Sequence, residues 1–387
     1  MRCGATTDMP SVRRSIVAVV LALTLVVAGC SDDGGGDDVG GSGDAAPETT
    51  TSTAAETTTT TVDERPWPTD EWPTTTPADA GLEQADLDRL AAQAEAGSSH
   101  CLAVTRDGEL VAEWYWAGTD ETTERESWSV TKSVTATLVG IAQDDGALDI
   151  DQPASDFITE WQGTPSEDVT IRQLLANDSG RYYDAATDYG AMAVQAEDKT
   201  AFSIALEQQH DPGTHWDYNN SAIQTLEAVL ERATGEDVVE FADERLFAPL
   251  GMESELTTDA AGNALVFMGM QTTCRDLARF GLLYLRGGEW QGEQILSEAF
   301  VSEAVQPSQS LNPTYGFLWW LLGDVDASTA PGQGDVSGGG AEGYAALGLG
   351  NQVLAVFPDT GLVVTRLGPQ GGDFGAAQIG DWAATVD

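Results

Sequence analysis

Ser129 and Lys132 stand three residues apart in Ser129-Val130-Thr131-Lys132. This S-x-x-K spacing puts a hydroxyl and an amine on one face of a helix. A serine hydroxyl is a weak nucleophile until a neighbour takes its proton. A lysine can take it when burial and nearby positive charge bring its pKa down from about 10.4. A serine at the start of a helix also meets the positive end of the helix dipole, which favours developing negative charge. The chain has two lysines, Lys132 and Lys199, against fifteen arginines, so a lysine kept at this spacing points to a use for its amine. A helix-capping serine followed by a surface lysine has the same spacing, and the pair therefore needs company. Tyr218-Asn219-Asn220, about ninety residues further on, supplies it. A tyrosine near the pair serves as general base and then acid. Asn220 offers an amide to Lys132 or to a substrate carbonyl.

These groups need elements to hold them. Helical spacing covers Ala85 to Ala96, Val130 to Gln143, Ile171 to Asn177, Ala222 to Thr234 and Cys274 to Arg286. Two β-prone runs, Cys101 to Thr105 and Leu110 to Trp116, lie on either side of Asp107-Gly108, a hairpin signal. Gln352 to Phe357 and Leu362 to Thr365 flank Pro358-Asp359-Thr360-Gly361, a second turn. Strands at both ends around a helical middle predict an α/β fold: one antiparallel sheet completed by the two chain ends, with a helical region beside it.

The order S-x-x-K then Y-x-N resembles class C β-lactamases, D-alanyl-D-alanine carboxypeptidases and related esterases. Further phrases carry the resemblance. Thr170-Ile171-Arg172-Gln173-Leu174-Leu175 with Asp178-Ser179-Gly180 is similar to that family's "TI-x-x-LL…SG" helix and turn. Pro249-Leu250-Gly251-Met252 is similar to its "PLGM", and Thr273 to Gly281 to its "ARDLARFG" helix. The match runs from about Pro77 to Asp387. It implies a β-lactamase-like sandwich of an antiparallel sheet and an all-helical region, with the active site between them. It also implies a Ser129 acyl-enzyme, with Lys132 and Tyr218 moving the proton and no cofactor. The chain departs from the lactamase pattern at the third motif. Where lactamases carry Lys-Thr-Gly, this chain has Ala346-Leu347-Gly348, and it has no Ser-Asp-Asn. An apolar third motif with Tyr315 to Trp320 upstream resembles the 6-aminohexanoate-oligomer hydrolase branch. By that resemblance the oxyanion hole is formed by the backbone N–H groups of Ser129 and Leu349, with Gly348 and Gly350 allowing close approach. Trp319, Trp320, Tyr182 and Tyr183 are candidates to line the pocket, with core packing as the alternative. His210 and His215 read as loop histidines, because this mechanism uses no triad histidine.

The expected reaction is hydrolysis of a small ester, amide or peptide. A D,D-carboxypeptidase or β-lactamase is the nearest rival within the class. A sensor that acylates without turning over is a rival of another class, and so is a catalytically dead fold, which would not require an intact S-x-x-K and Y-x-N.

The leader has its own signals. Arg13 and Arg14 precede Ile16 to Ala28, an apolar run of thirteen residues that ends in Val27-Ala28-Gly29-Cys30. This resembles a bacterial lipobox, so residues 1–29 are expected to be a lipoprotein signal peptide and Cys30 the lipidated residue. Residues 30–76, rich in Gly and Asp, then Thr, then Pro, are expected to be a disordered spacer. The hydrolase domain would follow over 77–387, held to the extracytoplasmic face of the cell membrane by the lipid alone. A formal charge of −46, from 63 acidic and 17 basic residues, argues against nucleic acid and against an anionic lipid surface as partners. Three histidines and no Cys/His spacing pattern give no case for a zinc site. Cys101 and Cys274 are left as either a disulfide or two buried thiols.

Overall fold

The computed structural model describes residues 66–69, 71–323, 340–369 and 372–386. The leader, Cys30 and the spacer as far as residue 65 lie outside them. Asp107 and Gly108 both have positive φ, 53° and 91°, and join Arg106 to its cross-strand partner Glu109. That geometry matches the twist of the flanking strands. The strand Cys101–Arg106 pairs on one side with Glu109–Tyr115 and on the other with Leu362–Leu367, placing Cys101 opposite Leu367. The six-stranded antiparallel sheet continues through Gln352–Phe357, Gly343–Gly348 and Trp320–Leu322. The two ends of the fold therefore meet at its centre, as the strand pattern predicted.

Alternation along the strands sorts their side chains between two faces. On the outer face, Leu102, Val104, Ala355 and Val364 pack against Leu87 and Leu90 of helix Gln84–Ala96 and against Ile379 and Trp382 of helix Ala376–Ala383. On the inner face, Ala103, Leu354, Val356 and Val363 join the core that includes helix Cys274–Leu285. Gly281 lets this helix sit close: a Cβ there would stand 2.5 Å from Val363 Cγ1. Cys101 and Cys274 form a disulfide with Cα atoms 6.2 Å apart, so the inner helix is bonded to the sheet's central strand. Tyr284 shares a 2.8 Å hydrogen bond with Thr137, which joins the same helix to helix Thr131–Asp144. Helix Asn220–Thr234 packs against Thr131–Asp144 in turn and begins the helical region.

The packed part of the chain starts before residue 77, which corrects the expected boundary. Trp72 is buried, and Thr74 bridges Leu110. Arg279 donates to the Thr69 carbonyl at 2.6 Å, and Trp67 meets Trp290 edge to face. The Pro- and Thr-rich composition concealed two tryptophans whose burial is enough to dock the segment.

Candidate active site

Ser129 lies in a single 3-10 turn, Trp128–Val130, that runs directly into helix Thr131–Asp144. Trp128 has a φ of +52°, a left-handed conformation that is strained for a large residue and is held by its surroundings. Those surroundings are specific. Thr131 Oγ1 donates to the Trp128 carbonyl at 2.6 Å and accepts from Met270 N–H at 3.0 Å. Ser127 donates through both N–H and Oγ to the Met270 carbonyl. The segment around Met270 thus clamps the turn that presents the serine.

Lys132 Nζ stands 2.8 Å from Ser129 Oγ and donates to the Phe267 carbonyl at 2.7 Å. It is 1% exposed. Burial pushes its pKa down to about 7, while the carboxylate of Asp188 opposes the shift. Half the amine is therefore free near neutral pH, which a surface lysine would not allow. Tyr218 is buried with its side chain hydrogen-bonded to Ser129, and its ring lies 4.8 Å from Lys132 Nζ. Burial raises the Tyr218 phenol well above its usual value. The phenol keeps its proton across the neutral range, so within this trio the lysine is the group able to accept one.

Tyr218 is held by the helix that follows it. Asn219 caps helix Asn220–Thr234 by accepting from Ala222 N–H, and its amide donates to the Tyr182 carbonyl at 3.1 Å. Trp320 stacks on Tyr218 with ring centroids 5.7 Å apart, and Tyr315 meets Trp320 edge to face at 4.8 Å.

Ser129, Lys132, Tyr218 and Trp320 therefore come together. Gly348 ends the strand Gly343–Gly348 against the Ser129 turn, and a Cβ there would stand 2.2 Å from the Ser127 carbonyl. Only a glycine permits this approach. The Trp320–Leu322 strand pairs with Gly343 to Ala345 only, so Ala346 to Gly348 present an open edge. Leu349 begins the turn beyond and is 56% exposed. That turn is braced from within. Gln352 donates to the Leu349 carbonyl at 3.0 Å, and Arg366 donates to those of Gly350 and Asn351 at 2.7 and 2.9 Å.

Three expectations are corrected. Asn220 does not hold Lys132: its amide donates to buried Asp188 at 2.7 Å, because that carboxylate needs four donors. Trp319 is core, not pocket. It is fully buried among Phe280, Tyr284 and Tyr344, just before the strand that Trp320 opens. The Tyr182 hydroxyl turns to Asp184 and Thr187. Tyr189, which shares hydrogen bonds with Asn220 and Tyr183, is the tyrosine beside the site. Asp188 and Tyr189 went unseen because they sit in a π-helical segment, Ala186–Gln195, with no periodicity to mark it. His210 and His215 lie in a loop with their rings 4.2 Å apart and tilted by 34°, and among the described residues neither shares a hydrogen bond with the Ser129 group.

Comparison with known proteins gives the family and the fold. The "Beta-lactamase" family model matches residues 87–378. A 6-aminohexanoate-dimer hydrolase from Paenarthrobacter ureafaciens is 28% identical over 294 residues, covering 68% of this chain and 71% of that one. A D-aminopeptidase from Brucella anthropi is 28% identical over 185 residues, 43% of this chain and 34% of that longer protein. A D-alanine carboxypeptidase from Burkholderia cenocepacia shares the fold, with a TM-score of 0.58 at 21% identity over 78% of this chain and 97% of that one.

Proposed function

We propose a reaction for this chain from one premise: it belongs to the Beta-lactamase family and is a serine hydrolase. The reaction is hydrolysis of a short amide, or of an ester of similar shape, through an acyl-enzyme on Ser129. The observation that carries this reading is the 2.8 Å contact of Ser129 Oγ with an amine whose pKa is about 7.

The Lys132 amine takes the Ser129 proton as Oγ bonds to the substrate carbonyl carbon, and the carbonyl electron pair moves to oxygen. The oxyanion is met by the N–H groups of Ser129 and Leu349. As it collapses, the bond to the leaving group breaks, and the leaving nitrogen or oxygen takes the Tyr218 proton. Lys132 returns its proton to the phenolate, which restores both groups. Water then attacks the acyl carbon and gives a proton to Lys132. Ser129 Oγ leaves by taking that proton back from Lys132, which restores the hydroxyl and the free amine, and the acid product departs.

The P. ureafaciens relative's name supports a linear amide as substrate. The apolar Ala346-Leu347-Gly348 edge offers no cation to a β-lactam carboxylate, which disfavours β-lactam turnover. A matched set of a short-chain p-nitroanilide, the p-nitrophenyl ester and a chromogenic β-lactam tests the reading. Sustained turnover of the first two and little of the third is expected. A stoichiometric burst without turnover on every substrate would instead identify a sensor.

The address of the protein is part of the proposal: a lipoprotein held at the extracytoplasmic face through Cys30. The Val27-Ala28-Gly29-Cys30 phrase after the apolar run supports it. Wild-type protein is expected to partition with membranes and Cys30→Ala to be soluble or unprocessed. Identical partitioning of the two would remove the anchor.

A further inference from the structure

Away from Ser129, the helical region forms an open-sided pocket of about 630 Å³ between helices Lys199–Ala205 and Asn220–Thr234. Its apolar walls come from Trp161, Pro165, Ile204, Ala205 and Ala228. Glu227, from the second helix, also lines it. Glu227 follows Asn220 by seven residues on one helix, which places it about 10 Å along the axis from the active-site end.

Several of the charged groups around this pocket are held by partners. Glu160 is held by Arg232 through two hydrogen bonds at 2.8 and 3.0 Å. Arg181 donates to Ser166 and to the carbonyls of Ser203, Ile204 and Leu206, and its guanidinium covers Trp161. Asp198 accepts from Ala201 N–H and from the Asn263 amide. Glu227 is different. It is 4% exposed, and among the described residues it has a single side-chain hydrogen bond, with Thr200, while its Oε2 meets no donor. Gln224, which could have answered it, spends its amide on Thr200 and Ala264, and its own Oε1 is unpartnered as well. A buried carboxylate oxygen without a donor is costly, and a fold retains one where something else supplies the donor.

We propose that this pocket is a binding site for a small organic cation, an ammonium or guanidinium group on a short apolar body, with Glu227 as its counter-ion. The charged end would meet the Glu227 carboxylate once its side chain turns toward the pocket, since Oε2 itself lies closed off, and the apolar body would lie against Trp161, Ile204 and Ala228. The chain's formal charge of −46 raises the local concentration of any such cation. The groups that face Glu227 leave it wanting one. Glu231, Asp259 and Asp198 all oppose its ionisation, while Arg181 and Arg232 are engaged as described. Burial, with these neighbours, holds the Glu227 carboxyl up at about 7. An arriving cation would stabilise the ionised form, so binding near neutral pH should expel a proton.

n-Butylamine, cationic throughout the range used, serves as the probe and n-butanol as its neutral match. Titration calorimetry and amide chemical shifts on the full domain follow the binding. n-Butylamine should bind in the millimolar range, as a ligand of five heavy atoms does, and should shift the amides of Ile204, Ala205 and Ala228. Its affinity should rise about tenfold from pH 6 to pH 8 as Glu227 loses its proton. At pH 7 it should release a fraction of a proton, read from buffers of different ionisation enthalpy. Glu227→Gln, which keeps the shape, should weaken n-butylamine at least tenfold and leave n-butanol unchanged. The pH series needs no variant, so it decides the matter even if Glu227→Gln fails to fold. An affinity flat between pH 6 and 8, equal binding of n-butanol, or shifts confined to the Ser129 turn would each overturn the proposal. None of these outcomes bears on whether Ser129 is acylated.

Discussion

The two faces of the sheet bury positive charge in opposite ways. On the outer face, Arg366 lies across from Leu102 and Val353 and is fully buried. It donates to Ser99 Oγ and to the carbonyls of Gly350, Asn351 and Gly97. Burial lowers its pKa only to about 10, and it stays charged. On the inner side, Lys132 meets one carbonyl and one hydroxyl. Its pKa falls to about 7. Burial lowers both, but it acts on a guanidinium that starts near 12.5 and on an amine that starts near 10.5 and is more deeply desolvated. The buried guanidinium stays ionised and braces its carbonyls, whereas the buried amine comes within reach of losing its proton near neutrality.

The largest expected effect falls on the inner side. Ser129→Ala should abolish acylation, and Lys132→Met should cost about 10³-fold or more in kcat/KM, with the two losses far from additive. The same Lys132→Met should raise stability by about 1–3 kcal/mol, because a poorly paired buried amine is replaced by an apolar side chain of similar volume. Thermal unfolding checks this, and a fall in the midpoint would break the contrast with Arg366. Arg366→Met should act the other way. With its carbonyl partners left without donors, a loss of about 3–5 kcal/mol is expected. Activity should fall through kcat as the Leu349 to Asn351 turn loosens.

Next comes the disulfide, which fastens the inner layer alone. Cys101→Ala with Cys274→Ala should cost about 2–4 kcal/mol. Amide exchange should speed up in Cys274–Leu285 more than in Gln84–Ala96, and equal acceleration would show that the faces do not open separately. The smallest effect is the pH profile. Lys132 must be free to act, so kcat/KM should rise about tenfold from pH 6 to pH 8, with an apparent pKa near 7. The sign follows from a lowered lysine pKa. Below 7 the buried amine is protonated and cannot accept, and above 7 it is free. A profile still rising at pH 10 would mean that the amine is not desolvated as described.

The sequence made the outer architecture and the grouping of Ser129, Lys132 and Tyr218 legible for physical reasons. Asp107-Gly108 can form few turns besides the one found, and Leu87 and Leu90 mark a helix face by spacing alone. Ser129 and Lys132 are read together because one helix fixes their separation. What stayed hidden depends on contacts between distant segments. Asp188 takes Asn220 away from the site, and no local pattern announces a partner thirty-two residues upstream. Trp319 and Trp320 are identical in type and adjacent, and only the placement of the strand that Trp320 opens decides which meets Tyr218. Glu227 reads as the polar face of an amphipathic helix until the packing of Lys199–Ala205 buries it.

The pairing of Thr105 with Val363 carries a consequence for how the molecule comes into being. These partners at the middle of the sheet are 258 residues apart in the chain. At about 5–20 residues per second, the ribosome delivers the second on the order of ten to fifty seconds after the first. Through that interval the Cys101–Arg106 strand has its hairpin neighbour but lacks its other partner. The central ladder cannot close, and Cys274 is made before the strand that will complete the sheet beside Cys101. Contacts this distant make for slow folding. The chain thus spends its synthesis as an open, movable polymer, and the serine turn, which leans on Gly348, is assembled only when the last strands arrive.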